Sequence, residues 1–477
     1  DLEEIRPRVR KCVGNPPRQT EDPQSPPCVP FFEGNNGGET SLGVTKDEVI
    51  IAWPNLVFFG PEPQDVMQLR VDHFNRRYEF YGRKIVLAEF EIPTFAAPDP
   101  PTMVADAVRV HTELKAFASL GYGAREGSEN HYYEELARRG VVSVSTGKMP
   151  IADEARMSRF HPHWWSWEAD IGETLALAGD FVCSTLAGRP PVGGAFQDDG
   201  NPLDPGATLR PEQRKFGIIS TRSKDGVVAP SERLTDALDA CGADYLPIIE
   251  DDANALQPDN VVLQLRNAQV TSVMCLCADL NQLRSSYMPA ATNQNFFPEW
   301  VTVGYGASDI DNSFQPGVAP PEQAKNVLGI TTHDRWLPRQ QMPWYWALRE
   351  SDPNRDHPGQ QPYFNMLNRY SQMLNLASGI QLAGPNLTPE SFAQGLQMAK
   401  FPNPGAGDAP QFQARIDFRR SHFARATAAM YWYSPSEGGV IDPSVPGSLC
   451  VINQARQYAI GAFPTEQQAW FQTPCVH

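Results

Sequence analysis

The sequence predicts an α/β protein in which two Rossmann-like, doubly wound lobes are joined by a hinge. From residue 45 to residue 304, short apolar runs alternate with segments of helical spacing. This alternation with short connections is typical of parallel strands covered by helices on both faces. The pattern is completed once and then begins again, so the chain is expected to contain two α/β units of similar size.

The first unit is predicted to contain four strands. Each is an apolar run followed by residues that favour turns, and the runs are Val49–Trp53, Lys84–Phe90, Leu114–Ser119 and Val141–Ser145. Apolar residues three or four positions apart predict helices between these runs, at Pro63–Tyr81, Met103–Glu113 and Glu129–Arg139.

The second unit repeats the arrangement. Its strands are predicted at Phe216–Ser220, Tyr245–Ile249, Val270–Cys277 and Trp300–Gly304. Its helices are predicted at Ile171–Ala187, from Ser231 to Gly242, and at Asn254–Asn267. Beyond residue 311 the pattern is less regular, with strands expected at Val327–Thr332 and Arg415–Phe418 and helices at Tyr363–Leu376 and from Thr388.

These elements predict four regions. Residues 1–44, rich in Pro and Gly, form an extended arm. Lobe 1 comprises residues 45–160 and about 333–405, and lobe 2 comprises residues 161–332 and about 406–440. Residues 441–477 form a C-terminal tail.

The eight cysteines favour an oxidising compartment. Cys12 and Cys28 bracket the Pro-rich arm, and Cys450 and Cys475 bracket the tail, so each pair is expected to form a disulfide worth roughly 3 kcal/mol. The pairing of the other cysteines stays open, as does the alternative of buried thiols in a cytosolic protein.

Charge and hydropathy exclude several functions. The net charge of −16 argues against nucleic acid and anionic lipid as partners, because both need a basic surface. No stretch approaches the ~20 continuous apolar residues of a membrane span. The chain begins Asp-Leu-Glu-Glu without Met, so we expect either a processed product or a trimmed chain, from which a signal segment could have been removed before residue 1.

The segment before the first strand carries a resemblance to a known family. Gly43-Val44-Thr45-Lys46-Asp47-Glu48 resembles the start of type 1 periplasmic (solute-)binding proteins of the branched-chain amino acid receptor group. The strands of the second unit are similar in order to those of this family, and the Asn35–Gly38 segment resembles the N-terminal extensions of actinobacterial members. The resemblance covers about residues 43–430.

The resemblance implies an extracytoplasmic substrate-binding protein of an ABC-type importer, at the cell surface or in the periplasm, where a lipid anchor can hold such proteins. It implies a membrane permease as partner, no enzyme activity and no cofactor. The second hypothesis is a ligand-sensing regulatory receptor of the same fold, and the third is an α/β enzyme.

The ligand is expected in the cleft between the lobes, beyond the carboxyl ends of the strands. There Gly121 and its neighbours offer backbone N–H groups, Ser and Thr offer hydroxyls, and aromatic side chains offer an apolar wall. The candidate ligand-binding residues are Trp53, Phe58, Phe59, Ser119, Gly121, Tyr122, Ser145, Thr146, Trp164, Trp167, Arg222, Asp225, Cys277, Asp279 and Tyr305.

Two departures from the family pattern bear on the ligand. Gly121–Ala124 stands where a Ser-rich turn is usual, and Tyr305 stands where the resemblance implies an acid that binds an amino-acid ammonium. The three Trp residues within 164–167 favour a ligand larger and more apolar than leucine. His161 and His163 could ligate a metal, but no partner in register accompanies them, so no metal site is assigned.

The expected mechanism is hinge closure. Crossings between the lobes are predicted near Phe160–Trp167, Asp311–Thr332 and Phe401–Arg415. These segments would absorb the change in backbone dihedral angles while each lobe moves as a rigid body.

Overall fold

A computed structural model gives the fold for most of the chain. The structure describes residues 12–15, 17–19, 22–56, 64–92, 99–122, 130–145, 153–195, 211–222, 228–253, 255–277, 280–304, 313–354, 363–398, 416–440, 443–472 and 475–476. Within these ranges the strands form two large sheets and one small hairpin, β1 (Cys12–Val13) with β2 (Arg18–Gln19).

The first sheet is entirely parallel. Its strands are β3 (Glu48–Leu56), β4 (Lys84–Ile92), β5 (Ala118–Leu120), β6 (Val142–Ser145), β7 (Trp164–Ala169) and β13 (Phe423–Arg425), in the order β13-β7-β6-β5-β3-β4. The helices that follow or cover these strands are α1 (Gln64–Arg77), α2 (Pro100–Thr112), α3 (Asn130–Arg138), α4 (Glu154–Met157), α11 (Pro343–Ser351), α12 (Tyr363–Ala383) and α13 (Pro389–Met398).

The second sheet is mixed. Its strands are β8 (Phe216–Arg222), β9 (Ile249–Asp252), β10 (Ser272–Leu276), β11 (Glu299–Val303), β12 (Val327–Thr331), β14 (Ala429–Gly438) and β15 (Pro446–Val451), in the order β15-β14-β12-β11-β10-β8-β9. Strands β8 to β12 pair in parallel, and the last two pair antiparallel. The remaining helices are α5 (Ile171–Phe181), α6 (Glu232–Cys241), α7 (Pro258–Asn267), α8 (Leu280–Gln282), α9 (Met288–Asn293) and α10 (Pro321–Ala324).

Burial on both faces explains the continuous apolar run of β3. Val49, Ile51 and Trp53 join one buried cluster, whereas Ile50 and Ala52 pack into the other. Successive side chains of a strand point to opposite faces, so both faces of the first sheet are covered. This confirms the predicted α/β fold with two mainly parallel sheets.

The structure explains why position 43, in the segment that resembles the family, is a glycine. Its φ is +71°, and a Cβ at this position would overlap the backbone nitrogen of Phe117. Its carbonyl oxygen accepts a hydrogen bond from Ile50 N at 2.8 Å. Only glycine combines this backbone conformation with so close an approach.

Sheet membership differs from the predicted division at three places. Trp164–Ala169 was assigned to lobe 2, but β7 pairs with β6 of the first sheet. Phe423–Arg425 was also assigned to lobe 2, but β13 pairs with β7. The predicted tail contributes the edge strand β15 to the second sheet. In each case the pairing joins distant segments, which local spacing does not reveal.

These pairings change where the chain crosses from one sheet to the other, compared with the predicted positions. The chain leaves the first sheet after Ala169, returns to it after Thr331, and leaves again after Arg425. The crossing predicted near Phe160–Trp167 therefore lies two residues further along the chain, because Trp164–Ala169 belongs to the first sheet. The segment predicted near Phe401–Arg415 lies outside the described residues.

Two predicted disulfides are present. Cys12 pairs with Cys28, and Cys450 pairs with Cys475. Cys183 also pairs with Cys241, and Cys275 with Cys277. Separately, no helix among the residues described above has the length and apolar character that a membrane crossing requires.

Candidate functional site

The three crossings meet at one place, which we call the crossing junction and define as residues 168–171, 332–336 and 425–428. Glu168 Oε1 lies 3.9 Å from His333 Nε2. Arg425 Nη1 donates to the carbonyl oxygen of Thr332 at 2.9 Å, and its Nη2 lies 3.3 Å from Asp334 Oδ2. Side chains of one crossing thus contact the next.

Two ionisable residues of the junction are buried among aromatic rings. Glu168 and His333 are each 2% exposed. The ring centres of His333 and Trp167 lie 5.5 Å apart, and those of His333 and Trp336 lie 5.9 Å apart. Buried charges of this kind are costly unless they remain paired, so the junction favours a fixed local arrangement of the three crossings.

A cavity of about 40 Å³ opens at this junction. It has room for roughly three water molecules at 10–15 Å³ each. Its walls come from the N-terminal arm, the crossings and helices α11 and α12: Asp22, Gln24, His333, Asp334, Arg335, Trp336, Met342, Pro343, Trp344, Tyr370, Ser371, Leu374 and Arg425. The arm is thus part of a site wall, which the sequence did not predict.

Asp22 anchors the arm in this wall. Its Oδ2 accepts a hydrogen bond from the Tyr370 hydroxyl at 2.7 Å, and its Oδ1 accepts from Gln24 N at 2.6 Å. Gln24 Nε2 donates to Asp334 Oδ2. Burial raises the pKa of the Asp22 carboxyl to about 6, although these hydrogen bonds oppose the shift. The arm therefore joins α12 to the second crossing.

The cavity wall contains donors without acceptors. The Arg335 guanidinium forms no hydrogen bond or ion pair with any part of the chain that the structure describes, and its Nε is buried. Arg425 Nε also lacks an acceptor there. Burial lowers the pKa of Arg335, because the charged form loses hydration. Guanidinium N–H groups are therefore among the donors of this wall that lack an acceptor within the described residues.

Two predicted tryptophans lie near the cavity. Trp167 lies on β7, and the Arg425 guanidinium carbon is 5.3 Å from its ring centre. Trp53, on β3, belongs to the same buried cluster as Trp167 and Trp344. The indole N–H groups of Trp53 and Trp167 have no hydrogen-bond partner within the described ranges. Trp167 thus contacts Arg425 of the junction, and Trp53 shares the buried cluster of Trp167.

Trp164 lies on the opposite face of β7. Its ring stacks on Tyr133 with centres 5.3 Å apart, and its Nε1 donates to Ser145 Oγ at 3.3 Å. The tryptophan run is therefore split between two buried clusters by the alternation of the strand. The sequence had suggested that these tryptophans form one continuous aromatic wall at a crossing, but they lie on opposite faces of β7.

The predicted polar groups of the first sheet already have protein partners in this conformation. The Ser119 hydroxyl lies 2.7 Å from the Tyr132 hydroxyl, and Ser145 Oγ donates to Trp165 O at 3.1 Å. Gly121 N donates to Gln372 Oε1 at 3.1 Å. The structure also pairs the buried Tyr122 hydroxyl with Asp106 Oδ2. Their role in ligand binding stays a prediction.

The predicted residues of the second sheet are separate from the cavity. Arg222, at the end of β8, is exposed and lies 3.3 Å from Glu250. Cys277 follows β10 and is buried in its disulfide. The other candidates lie outside the described residues: Phe58, Phe59, Thr146, Asp225, Asp279 and Tyr305.

His161 has partners that the sequence did not indicate. Its Nδ1 lies 3.1 Å from His422 Nε2, and His422 Nδ1 lies 2.7 Å from Glu154 Oε1. These contacts tie α4 to the segment before β13. Among the described residues, no group of three or more His, Cys, Asp or Glu side chains is arranged to hold a metal ion.

Comparison with known proteins gives structural similarity only. No family model matches the sequence. No curated protein matches it either.

Solved structures of transport proteins match most of the chain. A solute-binding protein of an ABC transporter from R. palustris, in complex with 4-hydroxybenzoate, matches with a TM-score of 0.59 at 9% identity, over 88% of this chain and 98% of that one. The fatty acid ABC transporter substrate-binding protein from Thermomonospora curvata gives 0.56 at 12% identity, over 91% and 100%.

A third similar structure carries an amino acid. The ABC transporter substrate-binding protein from Desulfitobacterium hafniense, in complex with Leu, gives a TM-score of 0.54 at 12% identity, over 81% of this chain and 97% of that one. At these identities the likeness concerns the fold alone. The chain has the fold of the type 1 periplasmic binding proteins, the fold of ABC transporter solute-binding proteins.

Proposed function

We propose that this protein is the extracytoplasmic substrate-binding protein of an ABC-type importer. It captures a small organic ligand between its two lobes, delivers it to a membrane permease and performs no chemistry. The observation that carries the proposal is the meeting of three crossings between two mainly parallel sheets at a junction that contains a cavity. The shared fold with solute-binding proteins supports it.

The mechanism we propose is closure about the crossing junction. Ligand contacts both lobes only in the closed form, so it shifts the population toward that form by its differential affinity for the two states. The buried contacts of Arg425 with Thr332 and Asp334 would keep the crossings together while backbone dihedral changes at their ends let the lobes move.

The proposed compartment is extracytoplasmic. All eight cysteines are paired, and disulfides persist mainly in oxidising environments. Residues 12–28 and 450–475 are each closed by one bridge, as suits a protein exposed to proteases and varying solutes. We propose that the protein works at the cell surface or in the periplasm, where a lipid anchor would keep it near the permease.

The proposed ligand is a small organic acid. The three similar structures are named for 4-hydroxybenzoate, fatty acid and Leu, each a carboxylate with an apolar body. Trp53 and Trp167 remain proposed ligand neighbours, because they share the apolar cluster at the junction. We also retain as proposals Phe58, Phe59, Ser119, Gly121, Tyr122, Ser145, Thr146, Trp164, Arg222, Asp225, Cys277, Asp279 and Tyr305.

The proposal is tested by identifying what the protein carries. Small molecules released on denaturing the purified protein are identified by mass spectrometry and titrated calorimetrically against refolded, ligand-free protein. We expect saturable binding at one molecule per chain and recovery of the compound unchanged after long incubation. Conversion of the compound to a product would contradict a pure binding role, as would the absence of any saturable ligand among released compounds and candidate acids.

A further inference from the structure

Arg335 is a cation without a counter-ion in the wall of the cavity. Among the described residues its guanidinium has no hydrogen-bond or ion-pair partner, and its Nε is buried. A guanidinium offers five N–H donors in a planar fork that matches the two oxygens of a carboxylate. The missing partner of Arg335 is therefore chemically an anion with paired oxygen acceptors.

The acids of the cavity are already engaged elsewhere. Asp22 accepts hydrogen bonds from Tyr370 and from the backbone of Gln24. Asp334 Oδ2 accepts from the Gln24 side chain and lies 3.3 Å from Arg425 Nη2. Neither carboxylate pairs with Arg335, so the acids of the cavity wall within the described residues leave this cation unmatched.

Arg425 provides a second, fixed donor. Its two terminal nitrogens bond to Thr332 and Asp334, and its guanidinium lies over Trp167. The remaining Nε–H has no acceptor within the described part of the chain. Because the other contacts hold this side chain in place, its orientation is set before any ligand arrives, which lowers the entropy cost of binding.

One part of the wall is apolar. Trp336, Met342 and Trp344 are buried and line the cavity beside Arg335. At about 40 Å³ the space matches a carboxylate group or a few waters and is well below the roughly 300 Å³ of a complete ligand pocket. The cavity therefore has room for the charged head of a ligand, with the guanidinium groups on one side and these apolar side chains on the other.

We propose that this cavity is the carboxylate subsite of the protein, in which Arg335, with Arg425, binds the head of a small organic monocarboxylate beside the side chains of Trp336 and Trp344. The inference rests on the proposed transport function and names its ligand class. It is independent of the residues at the carboxyl ends of β5 and β6 that the sequence predicted, whose polar groups have protein partners.

The test compares carboxylates with their neutral amides. Ligand-free protein is titrated calorimetrically with 4-hydroxybenzoate, leucine and octanoate, and with the corresponding amides. We expect at least one carboxylate to bind, and its amide to bind at least about tenfold more weakly, because charge-assisted bidentate hydrogen bonds are lost. Equal affinity for acid and amide would overturn the proposal, as would failure of all three acids to bind.

Variants of Arg335 then test whether this residue causes the difference in affinity between acid and amide. Arg335→Gln should weaken binding of the carboxylate at least about tenfold while leaving binding of the amide unchanged. Arg335→Lys keeps the charge without the planar fork and should lose less affinity than Arg335→Gln. The matched control is Arg138→Gln, since Arg138 pairs with Glu134 on the exposed surface of α3. Unchanged acid binding in both Arg335 variants would overturn the proposal.

Two further measurements distinguish a folding defect from a loss of binding, and the subsite proposal from the transport proposal. Circular dichroism and thermal unfolding must show that each variant is folded like the wild type, and Arg335→Lys serves if Arg335→Gln does not fold. If the ligand released from the protein is neutral or cationic and still contracts the molecule in scattering, the transport proposal holds and the carboxylate subsite is rejected. If no ligand contracts the molecule, the transport proposal itself fails.

Discussion

The guanidinium carbon of Arg425 lies 5.3 Å from the ring centre of Trp167. Trp167 lies on β7, which leads into the first crossing, and Arg425 ends β13, which leads into the third. Arg425 also donates to Thr332 O of the second crossing at 2.9 Å. Arg425 therefore lies at the third crossing, contacts the second, and lies over the strand that leads into the first.

Replacing Arg425 should destabilise the protein strongly. Arg425→Gln leaves the carboxylate of Asp334, which is 12% exposed, without its cation, and should lower the free energy of unfolding by about 3 kcal/mol. The measurement is urea denaturation followed by circular dichroism. Arg419→Gln is the control, because Arg419 pairs with Asp417 at the surface, where solvent screens the pair, so its loss should be much smaller. Equal losses in the two variants would contradict the role of Arg425.

Asp22 should make stability depend on pH. Burial raises the pKa of its carboxyl from 3.8 to about 6, so between these values the folded protein binds more protons than the unfolded one. The free energy of unfolding then falls as pH rises from about 4 to 6, by up to about 3 kcal/mol at 1.36 kcal/mol per unit. The penalty is fully present above pH 6.

Asp22→Asn removes this contribution. The slope of unfolding free energy between about pH 4 and 6 should become more positive in the variant than in the wild type, as measured by chemical denaturation at fixed pH values. The amide keeps an acceptor for Tyr370, so the comparison reports titration more than lost hydrogen bonding. Parallel pH profiles for the two proteins would show that Asp22 is not the responsible group.

Opening the arm disulfide should loosen one wall of the cavity. The double variant Cys12→Ser/Cys28→Ser should lose roughly 3 kcal/mol. Its arm, which supplies Asp22 and Gln24 to the wall, should be cleaved faster in limited proteolysis. The tail variant Cys450→Ser/Cys475→Ser is the control and should leave the rate of arm cleavage unchanged. Equal rates of arm cleavage in all three proteins would show that the bridge does not hold the arm.

Glu299 should be essential for the second sheet. Its carboxylate is fully buried and accepts hydrogen bonds from Arg214, Ser272 Oγ and the backbone of Val192 and Gly193. Glu299→Gln leaves Arg214 as an uncompensated buried charge and should cost about 3–5 kcal/mol in chemical denaturation.

The control for Glu299 is an exposed ion pair. Glu250→Gln breaks the surface contact with Arg222 and should cost less than about 1 kcal/mol. A loss of that size for Glu299→Gln as well would mean that the buried pair contributes little.

Local spacing predicted the alternation of strands and helices well, because strands covered on both faces read as continuous apolar runs. It failed where strand pairing decides the outcome. Trp164–Ala169 lies beside β6 through parallel pairing, and Phe423–Arg425 joins the same sheet from more than 250 residues away in the chain. No neighbouring residue indicates such a partner.

The cavity was less predictable than the fold, because its walls come from remote segments. The Asp22–Tyr370 hydrogen bond joins residues 348 positions apart, and the Gln24–Asp334 bond joins residues 310 apart. Arg335 lies in an irregular segment, where no periodicity indicates which way a side chain points. Trp53 and Trp167 were predicted from their place in the order of elements, neither is among the residues that line the cavity, and their contact with ligand stays a prediction.

Small-angle scattering with and without the released ligand tests closure of the two lobes most directly. The account predicts a smaller radius of gyration at saturation, reversed when the ligand is removed by dialysis. An unchanged radius of gyration, with saturation confirmed calorimetrically on the same sample, would contradict capture by hinge closure.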